Sequence, residues 1–263
     1  MRAMLGHHWR RHRIALGALA VGMFLFEWMM TKIAPEPSQT QAMAGFFQML
    51  PAPVLDMLGE LTANFSARGW ISFGYAHPFP VLMMGTWAVR LSASAVAGEI
   101  GTGTMDLLAS RPVPRGHLLR AALIALLAGL ALIAASGWAG TAVGLATRPV
   151  LGVGPSGYLP VAIGLWLLFA AFAAAGLVIS ALRRQGGAAI AVTAGLIAVS
   201  FAVNFLARAW RPIAWTRRFS LFMYYEPEQL YRSGVLTVHV LVLAGVAVAL
   251  AALAFPVFAR RDL

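Results

Sequence analysis

Six stretches of this chain are long and almost free of charge: Ile14–Ile33, Pro78–Ala97, Leu118–Leu145, Leu159–Leu182, Ala188–Leu206 and Val235–Phe258. A bilayer core is spanned by about 20 predominantly apolar residues in helical form. Inside it every backbone N–H and C=O must find a partner within the protein. The runs therefore predict an all-α integral membrane protein with six transmembrane helices. Composition agrees: 60% of the 263 residues are hydrophobic, 11% are charged, and the mean hydropathy is +0.77. A soluble domain is about 45–50% apolar and about 25% charged. The third run is long enough to tilt, or to break near Ser136-Gly137.

The formal net charge is +11, and Lys32 is the single lysine. In a chain this apolar, a basic excess points to anchoring at anionic membrane faces and not to nucleic acid. Cysteine is absent, which excludes disulfides, a thiol nucleophile and Cys-ligated metal. The N-terminus is basic and then apolar, as in a signal peptide. Its apolar run continues for a full span without a small-residue cleavage site, so it reads as a retained first helix. Residues 1–13, with His7, His8 and His12 among arginines, read as a basic amphipathic lead-in lying on the membrane face.

Orientation follows from the arginines of short loops. With the N-terminus inside, eleven fall in the cytoplasm: Arg2, Arg10, Arg11, Arg13, Arg111, Arg115, Arg120, Arg183, Arg184, Arg260 and Arg261. Seven fall outside: Arg68, Arg148, Arg208, Arg211, Arg217, Arg218 and Arg232. The balance places both termini in the cytoplasm, although five of the outer seven crowd the loop after the fifth span. The transmembrane domain then covers residues 14–258, with outer loops 34–77, 146–158 and 207–234, a cytoplasmic loop 98–117 and a tail 259–263. RAWRPIAWTRR, in the last outer loop, suits an amphipathic segment at the membrane interface.

The densest short run of mixed charge, glycine and proline is GEIGTGTMDLLASRPVPRGHLL, residues 98–119. Its glycines do not make a nucleotide loop. A phosphate-cradling loop needs Gly-x-x-x-x-Gly-Lys-Ser/Thr, and no Gly-Lys pair occurs in the chain. What the segment offers is a short polar helix. Thr104 is placed to cap a turn through Asp106, Leu107 and Leu108, and Pro112 to stop it. Such an element suits docking into a groove on a partner.

This loop resembles the characteristic loop of ABC-2-type transporter permeases. An acidic residue, a Gly-Thr pair, a Leu-Leu pair, a proline and an arginine correspond to Glu99, Gly103-Thr104, Leu107-Leu108, Pro112 and Arg115. Where that family commonly opens the third helix with lysine, this chain has Arg120. FPVFARRDL at the C-terminus and RRFSLFMYYEPEQLYRSG before the last helix are similar to further family segments. The resemblance implies a multi-pass permease of the bacterial cytoplasmic membrane, working as an exporter. It implies pairing with a second copy or a homologue among membrane lipid, and binding of a separate cytoplasmic ATPase that holds ATP and magnesium. Glu99, Gly103, Thr104, Asp106, Leu107, Leu108, Arg111, Pro112 and Arg115 would then couple to that ATPase. No residue of this chain would be catalytic or hold a cofactor or metal.

Two other constellations carry alternative functions. Glu27 in the first span and Arg90 in the second are ionisable groups at membrane depth, which are costly and usually paired. At about 1.5 Å per residue they would differ in depth by roughly 5–10 Å, within reach of an arginine. They form either a buried pair pinning two helices or the site of an ion-coupled carrier. Gly154-Pro155-Ser156-Gly157 before the fourth span and His239 in the sixth resemble the dyad of rhomboid intramembrane proteases. Against that, the first outer loop lacks a Trp-Arg pair, and the second span holds no His-x-x-x-Asn. Ser200 and Asn204, four apart in the fifth span, offer either a polar strip or a hydrogen bond between helices.

Overall fold

In lipid an apolar side chain gains little by turning inward. Helices associate where small residues let backbones approach and where polar groups find partners. The computed structural model describes residues 2–51, 66–101, 103, 115–235 and 237–260, with the backbone alone at 2–11, 47, 115, 209 and 211. The described residues form an all-helical bundle without a named strand. Helices α1 (Arg2–Lys32) and α2 (Pro37–Gln48) are followed by α3 (Ala67–Ala76) and α4 (Pro78–Ala93). Next come α5 (Arg115–Thr147), α6 (Tyr158–Leu182) and α7 (Gly186–Ala209). The chain ends with α8 (Pro227–Ser233) and α9 (Val238–Ala259). Among the described residues six segments are long and apolar enough to cross a membrane: His12–Lys32, Ala67–Gly101, Gly116–Thr147, Pro155–Leu182, Gly186–Arg208 and Val238–Ala259.

The second segment is longer than the sequence suggests, because α3 joins α4 across His77. The apolar run starting at Pro78 leaves residues 67–76 in the outer loop 34–77. The structure winds them into a helix capped by the Ser66 hydroxyl, which accepts from the Gly69 N–H. One face of this helix buries Ile71, Gly74 and Tyr75. His77 stays extended, as a residue before proline must, and its Nδ1 accepts the Phe79 N–H to start α4. The third span is one unbroken helix through Ser136-Gly137. The Ser136 hydroxyl donates to the Leu132 carbonyl one turn earlier, at 2.8 Å.

Close approach at glycines sets the packing. At Gly140 and Gly144 of α5 a Cβ would run into the Phe24 carbonyl and Thr31 of α1. Gly129 lies under the Trp87 ring, whose Nε1 donates to the Leu126 carbonyl of α5. Gly176 of α6 faces Ser92 of α4. α6 is the central helix, buried through Leu165, Phe169, Phe172 and Leu177 and packed on α4, α5, α7 and α9. Phe169 and Phe172 meet Phe222, and Phe201 of α7 closes the cluster at 5.4 Å from Phe222.

Where α1 ends and α9 begins, here the far face, five of the seven arginines assigned outside (Arg68, Arg148, Arg208, Arg217 and Arg232) are tied to carboxylates. Arg68, Arg232 and the Ser72 hydroxyl all donate to Glu228, at 2.9–3.2 Å. Arg217 donates to Glu226 and, at 3.1 Å, to Asn204 Oδ1, while Arg208 approaches Glu226 at 3.5 Å. Arg148 bonds the Lys32 and Ala34 carbonyls and Glu36. Ser200 pairs with Ser220 at 3.0 Å. Ser200 and Asn204 therefore hold the 3₁₀ segment Arg211–Phe219 and the residues after it, and do not bond a neighbouring span. That segment leaves Trp210, Trp215 and Phe219 exposed beside Arg218, the makeup of an interfacial anchor.

Replacing Gly140 by leucine should lower stability by about 1–3 kcal/mol, the cost of overpacking a filled contact. Gly195→Ala on α7, where nothing lies within 4 Å of an added Cβ, should leave it unchanged or raise it. Thermal unfolding in mild detergent separates the two.

Candidate coupling site

At the opposite face, where α1 starts and α9 ends, the second span does not finish as an α-helix. Residues Ser94–Gly98 form a π-helical turn, followed by one α-turn, Glu99–Gly101. A π-turn leaves backbone amides out of the regular ladder, and such turns recur at functional positions. Here Ser180 of α6 takes up the slack. Its hydroxyl oxygen accepts from the Ala97 N–H at 3.0 Å and the Val96 N–H at 3.3 Å, and its O–H donates to the Ala93 carbonyl at 3.1 Å. Ser180 is fully buried, so these bonds form away from water and are costly to break.

The turn between α6 and α7 then docks on this base. A Cβ on Gly186 would stand 3.1 Å from the Gly98 Cα, and one on Gly101 would stand 3.7 Å from the Arg184 carbonyl. At Gly186 a side chain would be tight against the Gly98 backbone, and at Gly101 it would reach van der Waals contact with the turn, so the two backbones pass close together. Gly103 closes the Glu99–Gly101 turn. Its N–H donates to the Ile100 carbonyl at 3.0 Å and its φ is +71°, the left-handed ending for which glycine is favoured. Beside this joint lies a cavity of about 430 Å³ lined by His12, Arg90, Ser94, Gln185 and glycine backbone.

Of the residues expected to couple, Glu99 and Gly103 stand on this joint. Arg115 begins α5, with only its backbone described. Thr104, Asp106, Leu107, Leu108, Arg111 and Pro112 lie outside the described residues, as do the C-terminal residues 261–263 and the side chains of His7 and His8. Sequence reasoning missed Ser180, Gly98 and Gly186. A lone serine at the end of an apolar run, and glycines in a short turn, carry no chemistry of their own; their role exists only where two segments meet.

The structure does not bring Glu27 and Arg90 together. Glu27 sits against Gly74 of α3, its Oε2 2.9 Å from where a Cβ would stand. Arg90 opens into the cavity at the other face, sixteen positions further along the second span, or about 24 Å at the helical rise. The addition of α3 is the physical reason: the span starts at Ala67 and not at Pro78, which places Arg90 towards the face where the span ends. Ser156 and His239 do not form a dyad either. Ser156 is exposed on the 3₁₀ turn before α6, and His239 stands edge-on to Tyr224 at 5.6 Å. No hydrogen bond joins Ser156 to His239 among the described contacts.

Ser180→Ala should remove the staple. The expected cost is about 1–3 kcal/mol for leaving buried amides unpaired. Hydrogen exchange at Val96 and Ala97 should speed up, with the far-face amides unaffected.

The chain matches the family described as ABC-2 family transporter protein over residues 37–263. A search of curated proteins gives no match. The match covers five of the six spans, the π-turn joint and the whole 98–117 loop, and it agrees with the six-helix architecture. The chain belongs to the ABC-2 transporter family, as a multi-pass cell-membrane permease subunit of an ABC transporter.

Proposed function

We propose that this permease works in an exporter and receives its ATPase at residues 98–117. The face carrying the π-turn is then cytoplasmic, as the arginine balance of the sequence suggests. ATP and magnesium are held by the separate ATPase, and this chain supplies no catalytic residue. A second permease chain, identical or homologous, and membrane lipid cover the apolar faces left open on α7 and α9, among them Val199, Phe205, Leu241 and Val248.

The observation that carries this reading is the joint at the base of the loop. Gly98 rests on Gly186, and Ser180 holds the π-turn, so the loop root is fixed to α4, α6 and α7 together. Movement imposed on residues 98–117 therefore passes to three spans and is not absorbed by a slack linker. In this scheme Thr104, Asp106, Leu107, Leu108, Arg111 and Pro112 form the docking element. Glu99 and Arg115 flank it with opposite charge, and Gly103 sets its entry angle.

The test is co-purification from mild detergent with the ATPase subunit, beside a Glu99→Ala, Arg115→Ala double variant. The expected result is a stoichiometric complex with the native chain. Binding by the variant should be at least about tenfold weaker, equivalent to a loss of about 1.4 kcal/mol. Equal recovery of the ATPase by both chains would overturn the coupling role.

A further inference from the structure

Glu27 is a second feature that coupling does not use. It lies within the first span, and its side chain is fully buried. Two glycines make the space it fills. A Cβ on Gly74 of α3 would stand 2.9 Å from its Oε2, and one on Gly137 of α5 would stand 3.4 Å from its Cγ. Met30 lines the notch on the Gly74 side and Met23 on the Gly137 side. Neither carboxyl oxygen has a hydrogen-bond partner among the described residues.

Among the described residues no cation is paired with this group. The elements packed on this part of α1 are α3, α4 and α5. On α3, Arg68 is committed to Glu228. On α4, Arg90 opens into the cavity at the other face. On α5, Arg115 and Arg120 stand at the first end and Arg148 follows the last, where it bonds Glu36. Lys32, on α1 itself, donates to Thr147. The titratable groups that face Glu27 are Tyr75 and Tyr225. The Tyr75 hydroxyl is bonded to Thr141 at 2.9 Å, and the Tyr225 hydroxyl is buried without a partner.

A carboxylate so placed would be an unpaired charge in a medium that penalises it heavily. A neutral acid of the same shape avoids that cost. We propose that Glu27 is a proton-binding site, holding its proton as a carboxylic acid while α1 is packed between α3 and α5. Parting α1 from these helices wets the carboxyl, which then ionises and gives its proton to water. Repacking takes one proton up again, so opening of this seam and proton release are one event. The proposal rests on burial and packing, and stands whether or not residues 98–117 bind the ATPase.

The experiment is an infrared difference spectrum between the native protein and Glu27→Gln, both full length in lipid vesicles, at neutral and at mildly alkaline pH. Glutamine keeps the shape of the neutral acid. The expected result is a protonated-carboxyl C=O band in the native protein at both pH values, wholly absent from the variant. Should Glu27→Gln fail to fold, Glu27→Asp should shift this band without abolishing it. Carboxylate bands in place of the acid band at neutral pH would overturn the proposal.

Discussion

The close contact of α1 with α5 is the interaction on which the bundle depends. It is among the most extensive helix pairings of the described residues, and Gly137, Gly140 and Gly144 make it possible by letting α1 come down on bare backbone. In water a large side chain in that seam would be favoured by burial. In lipid there is no such gain, and contact area at short range is what holds helices together. The same seam leaves room for Glu27, so the polar group most out of place in the membrane is held by the feature that builds the fold.

The two faces of the bundle are tied by different means. At the far face Glu36, Glu226 and Glu228 gather Arg68, Arg148, Arg208, Arg217 and Arg232 into partly exposed networks. Single exposed ion pairs contribute little; here Glu36 and Glu228 each tie segments that are distant in sequence, while Glu226 fastens the loop after α7 to the end of α7, which gives the network its structural effect. At the opposite face the ties are backbone on backbone, at Gly98 and Gly186, and the buried hydroxyl of Ser180. A network of charges yields when water enters. A glycine contact with a stapled π-turn transmits displacement, which suits the face proposed to receive the ATPase.

Much of this was legible in the sequence. Six spans follow from apolar run length, and the charged loop after the second span stands out by composition alone. The π-turn joint was not legible, because Ser180, Gly98 and Gly186 are ordinary residues until their segments meet. Helix α3 was hidden for a related reason. Arg68 and Ser72 look like loop residues until Glu228, more than 150 positions away, satisfies both. The supposed Glu27–Arg90 pair failed for want of α3: a span begun at Pro78 puts Arg90 at the wrong depth. The outer arginines looked anomalous because a positive-inside count sees charges and not their partners.

If residues 98–117 receive the ATPase, as proposed, a probe placed there must sense its arrival. The chain contains no cysteine, so Asp106→Cys provides a single attachment site for a nitroxide spin label. Leu151→Cys, at an exposed position of the far face, provides the control. Adding the ATPase should slow the motion of the label at residue 106 and leave the label at residue 151 unchanged. An unchanged spectrum at residue 106 with the ATPase demonstrably bound would contradict that proposal.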